Sequence, residues 1–277
     1  MGVARGWRFL AVAACAPLLA AAAGTPATAE PPCPRPAVVE RVRDAETLVV
    51  APSPGDRSPG NPSEVWLAGI AVPTAAEVPA GIAAAAQRLL ADLTLGRTVC
   101  LDLGDAGAPG EAADRYGRLP AQVQRDDGIW LQGLLLAVGL ARVHPTPLGR
   151  SRTAAMLAIE NDARANRRGL WRLPTMQIRA ADDAERAPSG LTLVEGRVID
   201  AERRGDWWYL NFGQDWRRDF TVTIGKQALP AFAAAGTEPY ALKGRTIRVR
   251  GVLQWRNGPM IEALIPEQIE LISAAGG

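Results

Sequence analysis

The sequence predicts a mainly β fold with helices (α+β), built as two tandem five-stranded barrels, the first followed by two helices. Three observations lead there. Apolar and polar residues alternate at period two in short runs along the chain. The order three strands, one helix, two strands occurs twice. Between the two occurrences the residues turn polar and uneven over 174–189.

In the first occurrence, VERVRDAETLVV alternates through Val39 and Val42, turns at Asp44-Ala45, and resumes at Leu48 and Val50. Val65 to Ile70 is the third strand, where Gly69 permits a bend and Pro73 closes the segment. Over residues 80–95, Ile82, Leu89, Leu90 and Leu93 fall on one helical face, and Gly96 stops the helix. Thr98–Leu103 and Leu119–Gln124 complete the sheet, and helices are expected over 129–143 and Ser151–Trp171. In the second occurrence, strands are expected over 191–204, 206–213 and 217–225, then a short helix over 228–236. Two more strands, 245–258 and 259–272, meet at Asn257-Gly258, a strong hairpin signal. The expected domains are 34–173 and 190–273, with 174–189 as linker.

Arg5 and Arg8 precede the apolar run FLAVAACAPLLAAAAG, and Ala27-Thr28-Ala29 supplies small residues where a signal peptidase reads. Residues 1–29 are therefore expected to be a signal peptide cleaved after Ala29, with export to the periplasm or beyond. Val12-Ala13-Ala14-Cys15 loosely fits a lipidation site, the competing reading, and Pro17 and Gly24 interrupt any span. Cleavage leaves two cysteines, Cys33 and Cys100, either a disulfide or two unrelated thiols; an oxidising compartment and an even count favour the bridge. The net charge of +2 excludes a strong basic field of the kind that binds nucleic acid on electrostatics alone.

VRDAETLVV, VWLAGIAVP, GRTVCLD, DRYGRLPAQV, LLLAVGLARV and AIENDARANRRGLW follow one another from about Val38 to Trp171. Together they resemble the thermonuclease family, the staphylococcal-nuclease-like OB-fold proteins. The resemblance implies an OB barrel whose active members hold calcium on carboxylates at two strand ends, grip phosphate with two arginines and activate water with a glutamate. Carried over, the first-hairpin carboxylates are Asp44 and Glu46, and the second arginine is Arg118. Trp66 replaces the first arginine, Ala71 and Val72 the ligands on the third strand, and Thr74 the glutamate. The expectation is thus a secreted thermonuclease-like protein without calcium-dependent nuclease activity, needing no cofactor, with Arg118, Glu46 and Glu77 as vestiges of the catalytic set and Asp44 and Glu46 as vestiges of the metal set. The alternatives are an active phosphodiesterase rearranged around Asp44, Glu46, Glu77 and Arg118, which would need calcium, and a structural envelope protein. Arg118 itself has two readings, a brace for its loop or a phosphate contact. In a barrel of this type the first strand closes against the fourth, which brings Cys33 and Cys100 within reach of a bridge. His144, the only histidine, has no partner at metal-ligand spacing.

The second half concentrates aromatics: Trp207, Trp208, Tyr209, Phe212, Trp216, Phe220 and Trp255. Alternation sends Trp207, Tyr209 and Asn211 to one face and Trp208, Leu210 and Phe212 to the other. The second set reads as core. The first reads either as packing or, with Arg217 and Arg218, as a platform for single-stranded nucleic acid or sugars. An envelope protein is the other partner considered.

Overall fold

The computed structural model describes residues 33, 35–51, 63–78, 81–104, 113–187, 190–215 and 217–272. The expected signal peptide, Cys15 and Trp216 lie outside them. Among the described residues no helix is long and apolar enough to cross a membrane.

The first part of the chain runs β1 (Pro36–Val42), β2 (Thr47–Val50), β3 (Ser63–Leu67), β4 (Ile70–Ala71), α1 (Gly81–Thr94), β5 (Thr98–Asp102), β6 (Leu119–Arg125), α2 (Leu131–Ala137), β7 (Arg142–Val143) and α3 (Thr153–Ala165). Five of these strands close a barrel in the order β1-β2-β3-β6-β5, with β3 and β6 parallel. Alternation builds the core: Val39, Leu48, Val65, Leu67, Val99 and Val123 are buried, with Leu90 of α1 and Leu131, Leu135 and Leu136 of α2 packed against them. The expected bridge is present. Cys33 and Cys100 are joined with their Cα atoms 5.5 Å apart, next to the β1–β5 pairing that sets Pro36 opposite Cys100.

The helix expected over 129–143 is cut short. Gly139 adopts φ +71°, and a Cβ there would lie 2.3 Å from the Arg168 carbonyl oxygen, so the chain turns where two backbones touch. Arg142 and Val143 then become β7 and pair with β4. Gly69 bends the chain between β3 and β4 at φ +85°. The third barrel strand and its continuation thereby face different partners.

Residues 174–187, expected as a linker, are folded. They form 3-10 turns and β8 (Arg179–Ala180), with Met176 and Ala184 buried. There follow β9 (Gly190–Arg197), β10 (Asp200–Arg204), β11 (Trp207–Asn211), β12 (Thr221–Gly225), α4 (Leu229–Ala234), β13 (Thr246–Trp255), β14 (Pro259–Glu262) and β15 (Ile269–Leu271). A closed five-stranded barrel was expected; the observed sheet runs β10-β11-β12-β14-β13-β9-β8, with β15 added on β13. Two long expected strands are each broken in two. Val198 and Ile199 separate β9 from β10, and a turn at Pro266 separates β14 from β15. The order nevertheless repeats that of the barrel, including a parallel pair, β12 with β14. The Asn257-Gly258 hairpin forms as expected, at φ +53° and +100°.

From Cys33 onward the described chain is one compact unit. A cluster of Val78, Ala163, Leu170, Trp171, Met176 and Leu193 joins the barrel's helices to β9. Beside it, Arg250 of β13 is fully buried, as is its partner Glu160 of α3. Its guanidinium donates to Glu160 Oε2 (2.9 Å), to the Val143 carbonyl (3.0 Å) and to Glu270 Oε1 (2.7 Å).

Candidate functional site

Two places warrant consideration, the barrel mouth and the outer face of the C-terminal sheet. At the mouth, the turn between β1 and β2 presents Glu46 beside Trp66 of β3. Its Oε2 accepts from Trp66 Nε1 (3.3 Å) and its Oε1 from the Val72 backbone N–H. Burial raises the Glu46 pKa above the usual carboxylate range, only partly offset by those two donors. Asp44 spends its Oδ1 on the Glu46 backbone N–H (2.9 Å), stiffening the turn.

Arg118, at the edge of β6, is held by Asp114 Oδ2, with Nε and Nη2 each at 2.8 Å. Nη1 reaches Thr47 Oγ1 at 3.4 Å, and the guanidinium lies 5.7 Å from the Trp66 ring centre and 5.2 Å from that of Tyr116. Burial would raise the Asp114 pKa, but the Arg118 backbone N–H and guanidinium, with the Tyr116 N–H, hold it below the usual range. The arginine is therefore already neutralised, and Trp66 fills the space beside it.

Glu77 stands elsewhere. Its Oε2 accepts from the Thr74 backbone N–H (2.9 Å) and hydroxyl (3.0 Å), and its Oε1 from Arg142 Nη2 (2.9 Å). Arg142 in turn donates to the Leu191 carbonyl of β9, so Glu77 ties the turn after β4 to the C-terminal sheet.

Calcium does not fit these residues. A hard cation of this kind takes six or more oxygens. Glu46 already receives two donors, Asp44 one, and Ala71 and Val72 supply no side-chain oxygen. Among the described residues no three His, Cys, Asp or Glu side chains gather as a metal set. Half-buried His144 is also unsuited to acid–base work near neutrality: burial, then the charges of Arg142 and Arg250, push its pKa down to about 4.

On the C-terminal sheet the alternation reading places its residues well and its arginines badly. Trp207 and Tyr209 are half-buried on the wall of a groove of about 340 Å³. Cross-strand register builds it in rows. One row runs Glu202, Tyr209, Thr223, Glu262 across β10, β11, β12 and β14; another runs Asn211, Thr221, Met260, Gln254. Arg204 stands opposite Trp207, and Arg256 closes the far end. Arg217 and Arg218, expected beside the platform, line no part of this groove. β12 begins only at Thr221, so they fall in the β11–β12 turn, where Arg218 faces a separate recess with Asp182, Glu185, Asp215 and Asp219. Arg204 and Arg256 take their place. Glu202, Thr223 and Glu262 were not singled out in the sequence; alternation alone gives a face, and only register says which residues share it.

Residues 64–173 match the family model described as Staphylococcal nuclease homologue. No curated protein matches the chain.

Proposed function

With residues 64–173 forming a staphylococcal-nuclease-like domain on an OB barrel, we propose that this is an exported protein in which that domain no longer cleaves phosphodiesters and the C-terminal sheet binds a ligand. The observation that carries the first half is the state of the mouth: Glu46 is capped by Trp66 and Val72, and Arg118 is clamped by Asp114. A phosphate would have to displace Asp114 and push against an indole that carries one donor and no charge. The groove of Trp207 and Tyr209 supports the second half, because it is concave, half-buried and lined by hydrogen-bonding groups. Export is supported by the charged and apolar pattern of residues 1–29, and a disulfide is compatible with it. The competing rearranged nuclease is disfavoured by Glu77, whose carboxylate is committed to Thr74 and Arg142.

Thermal unfolding with calcium or with chelator tests the loss of the metal site. An ion present at about 100 times its dissociation constant would stabilise the fold by about 2.7 kcal/mol, a shift of several degrees. Equal midpoints are expected. A calcium-dependent rise that Glu46→Gln removes would overturn the proposal.

A further inference from the structure

The groove on the C-terminal sheet has a charge pattern that selects among ligands. Its carboxylates, Glu202 and Glu262, number the same as its guanidiniums, Arg204 and Arg256. Arg204 and Glu202 neutralise one another, since Arg204 Nη2 lies 2.6 Å from Glu202 Oε1, and Arg256 and Glu262 balance in the rest of the groove. Single-stranded nucleic acid is held by a groove that is positive along its length, so that each phosphate meets a cation and counterions are released. Here a phosphodiester chain crossing the Glu202–Tyr209–Thr223–Glu262 row would meet a carboxylate at both ends. That disfavours a polyanion.

The same row suits a neutral ligand rich in hydroxyls. Carboxylates only accept, threonine and tyrosine hydroxyls donate and accept, and Asn211 and Gln254 do both through their amides. Trp207 and Tyr209 add flat apolar surface with a polar tip, which suits a ring carrying C–H groups on its faces and hydroxyls on its rim. The volume, about 340 Å³, stands near the lower end of the range for small-molecule sites.

We propose that this groove binds a short uncharged oligosaccharide, with Trp207 and Tyr209 as the stacking surface and Glu262, with the second oxygen of Glu202, accepting hydroxyl hydrogen bonds. The inference rests on the reading of the C-terminal sheet as the working face.

The test uses the chain without its first 29 residues and two kinds of probe. Cellotetraose, maltotetraose and N-acetylchitotetraose form one arm, and a decamer of deoxythymidine the other, each titrated by NMR at about 50 and 200 mM salt. At least one of the sugars is expected to saturate with little change between the two salts. Its affinity should fall about tenfold or more in Trp207→Ala and in Glu262→Gln, the loss that one stacking or charged hydrogen-bond contact supplies. Glu262→Gln keeps size and shape, so it guards against a merely unfolded Trp207→Ala. Saturable oligonucleotide binding that weakens steeply with salt and is lost in Trp207→Ala, with no sugar bound, would overturn the sugar assignment and leave the binding face standing. Sugar binding that survives both substitutions would place the site elsewhere and overturn the proposal. If no probe binds, both the assignment and the working-face reading fail.

Discussion

Glu77 and Arg142 carry the sharpest expectation at the scale of single residues. Arg142 is nearly fully buried and satisfies both Glu77 and the Leu191 carbonyl. Arg142→Ala removes the guanidinium from Glu77 Oε1 and from the Leu191 carbonyl, and breaking a buried pair typically costs about 3–5 kcal/mol. Glu77 keeps some solvent access, so the lower end is expected in urea unfolding. Arg142→Lys should recover only part of it, because one ammonium replaces a two-pronged fork. His144 gives a pH signature. Its folded pKa is near 4, below the ordinary histidine value of 6.5, so between those values the unfolded chain binds a proton that the folded chain does not. Its contribution is therefore intact above pH 6.5 and is lost as pH falls towards 4. After allowance for the ring's partial exposure this amounts to about 1–2 kcal/mol. His144→Gln should flatten the stability profile across that window.

Among the elements, the bridge between the segment before β1 and β5 is the most direct to remove. It closes a separation of 67 residues, for which the loop-entropy account gives about 4 kcal/mol. A Cys33→Ala, Cys100→Ala chain is expected to lose most of that in urea unfolding while keeping the barrel's circular dichroism. Strands and their order were legible because alternation records which residues face a core: Leu48, Val50, Val65 and Leu67 announce themselves. The bridge was legible because a known barrel order brings the two cysteines together. Breaks within strands were not legible. RVIDAERR reads as continuous, yet Val198 and Ile199 interrupt it between β9 and β10. Residues 174–187 look like a linker because their inward-facing residues, Met176 and Ala184 with the half-buried Ile178, Ala181 and Ala187, are scattered among polar neighbours. In the site, Glu46, Arg118 and Trp66 were found through the resemblance to the thermonuclease family, and Trp207 and Tyr209 by alternation. Glu202 and Glu262 needed register, which local sequence does not encode.

Taken as a whole molecule, the barrel and the C-terminal sheet are fastened by charges the sequence hides, since Arg250 and Glu160 stand 90 positions apart. Burial pulls the Arg250 pKa down, and Glu160 and Glu270 more than offset it. Arg250→Ala leaves Glu160 buried beside an empty space, so a loss of about 3–5 kcal/mol is expected. Because the third apolar cluster also spans both parts, thermal unfolding should follow a single transition by fluorescence and by circular dichroism; two separated transitions would show the parts to be independent. Such fastening uses Glu77 and the turn after β4, the region where an active relative would keep its base. Hydrolysis itself is the most direct measurement: a fluorogenic single-stranded DNA incubated with the chain lacking its first 29 residues, in calcium and in chelator. The account predicts equal, background rates in both. Calcium-dependent cleavage that disappears in Arg118→Ala would contradict it.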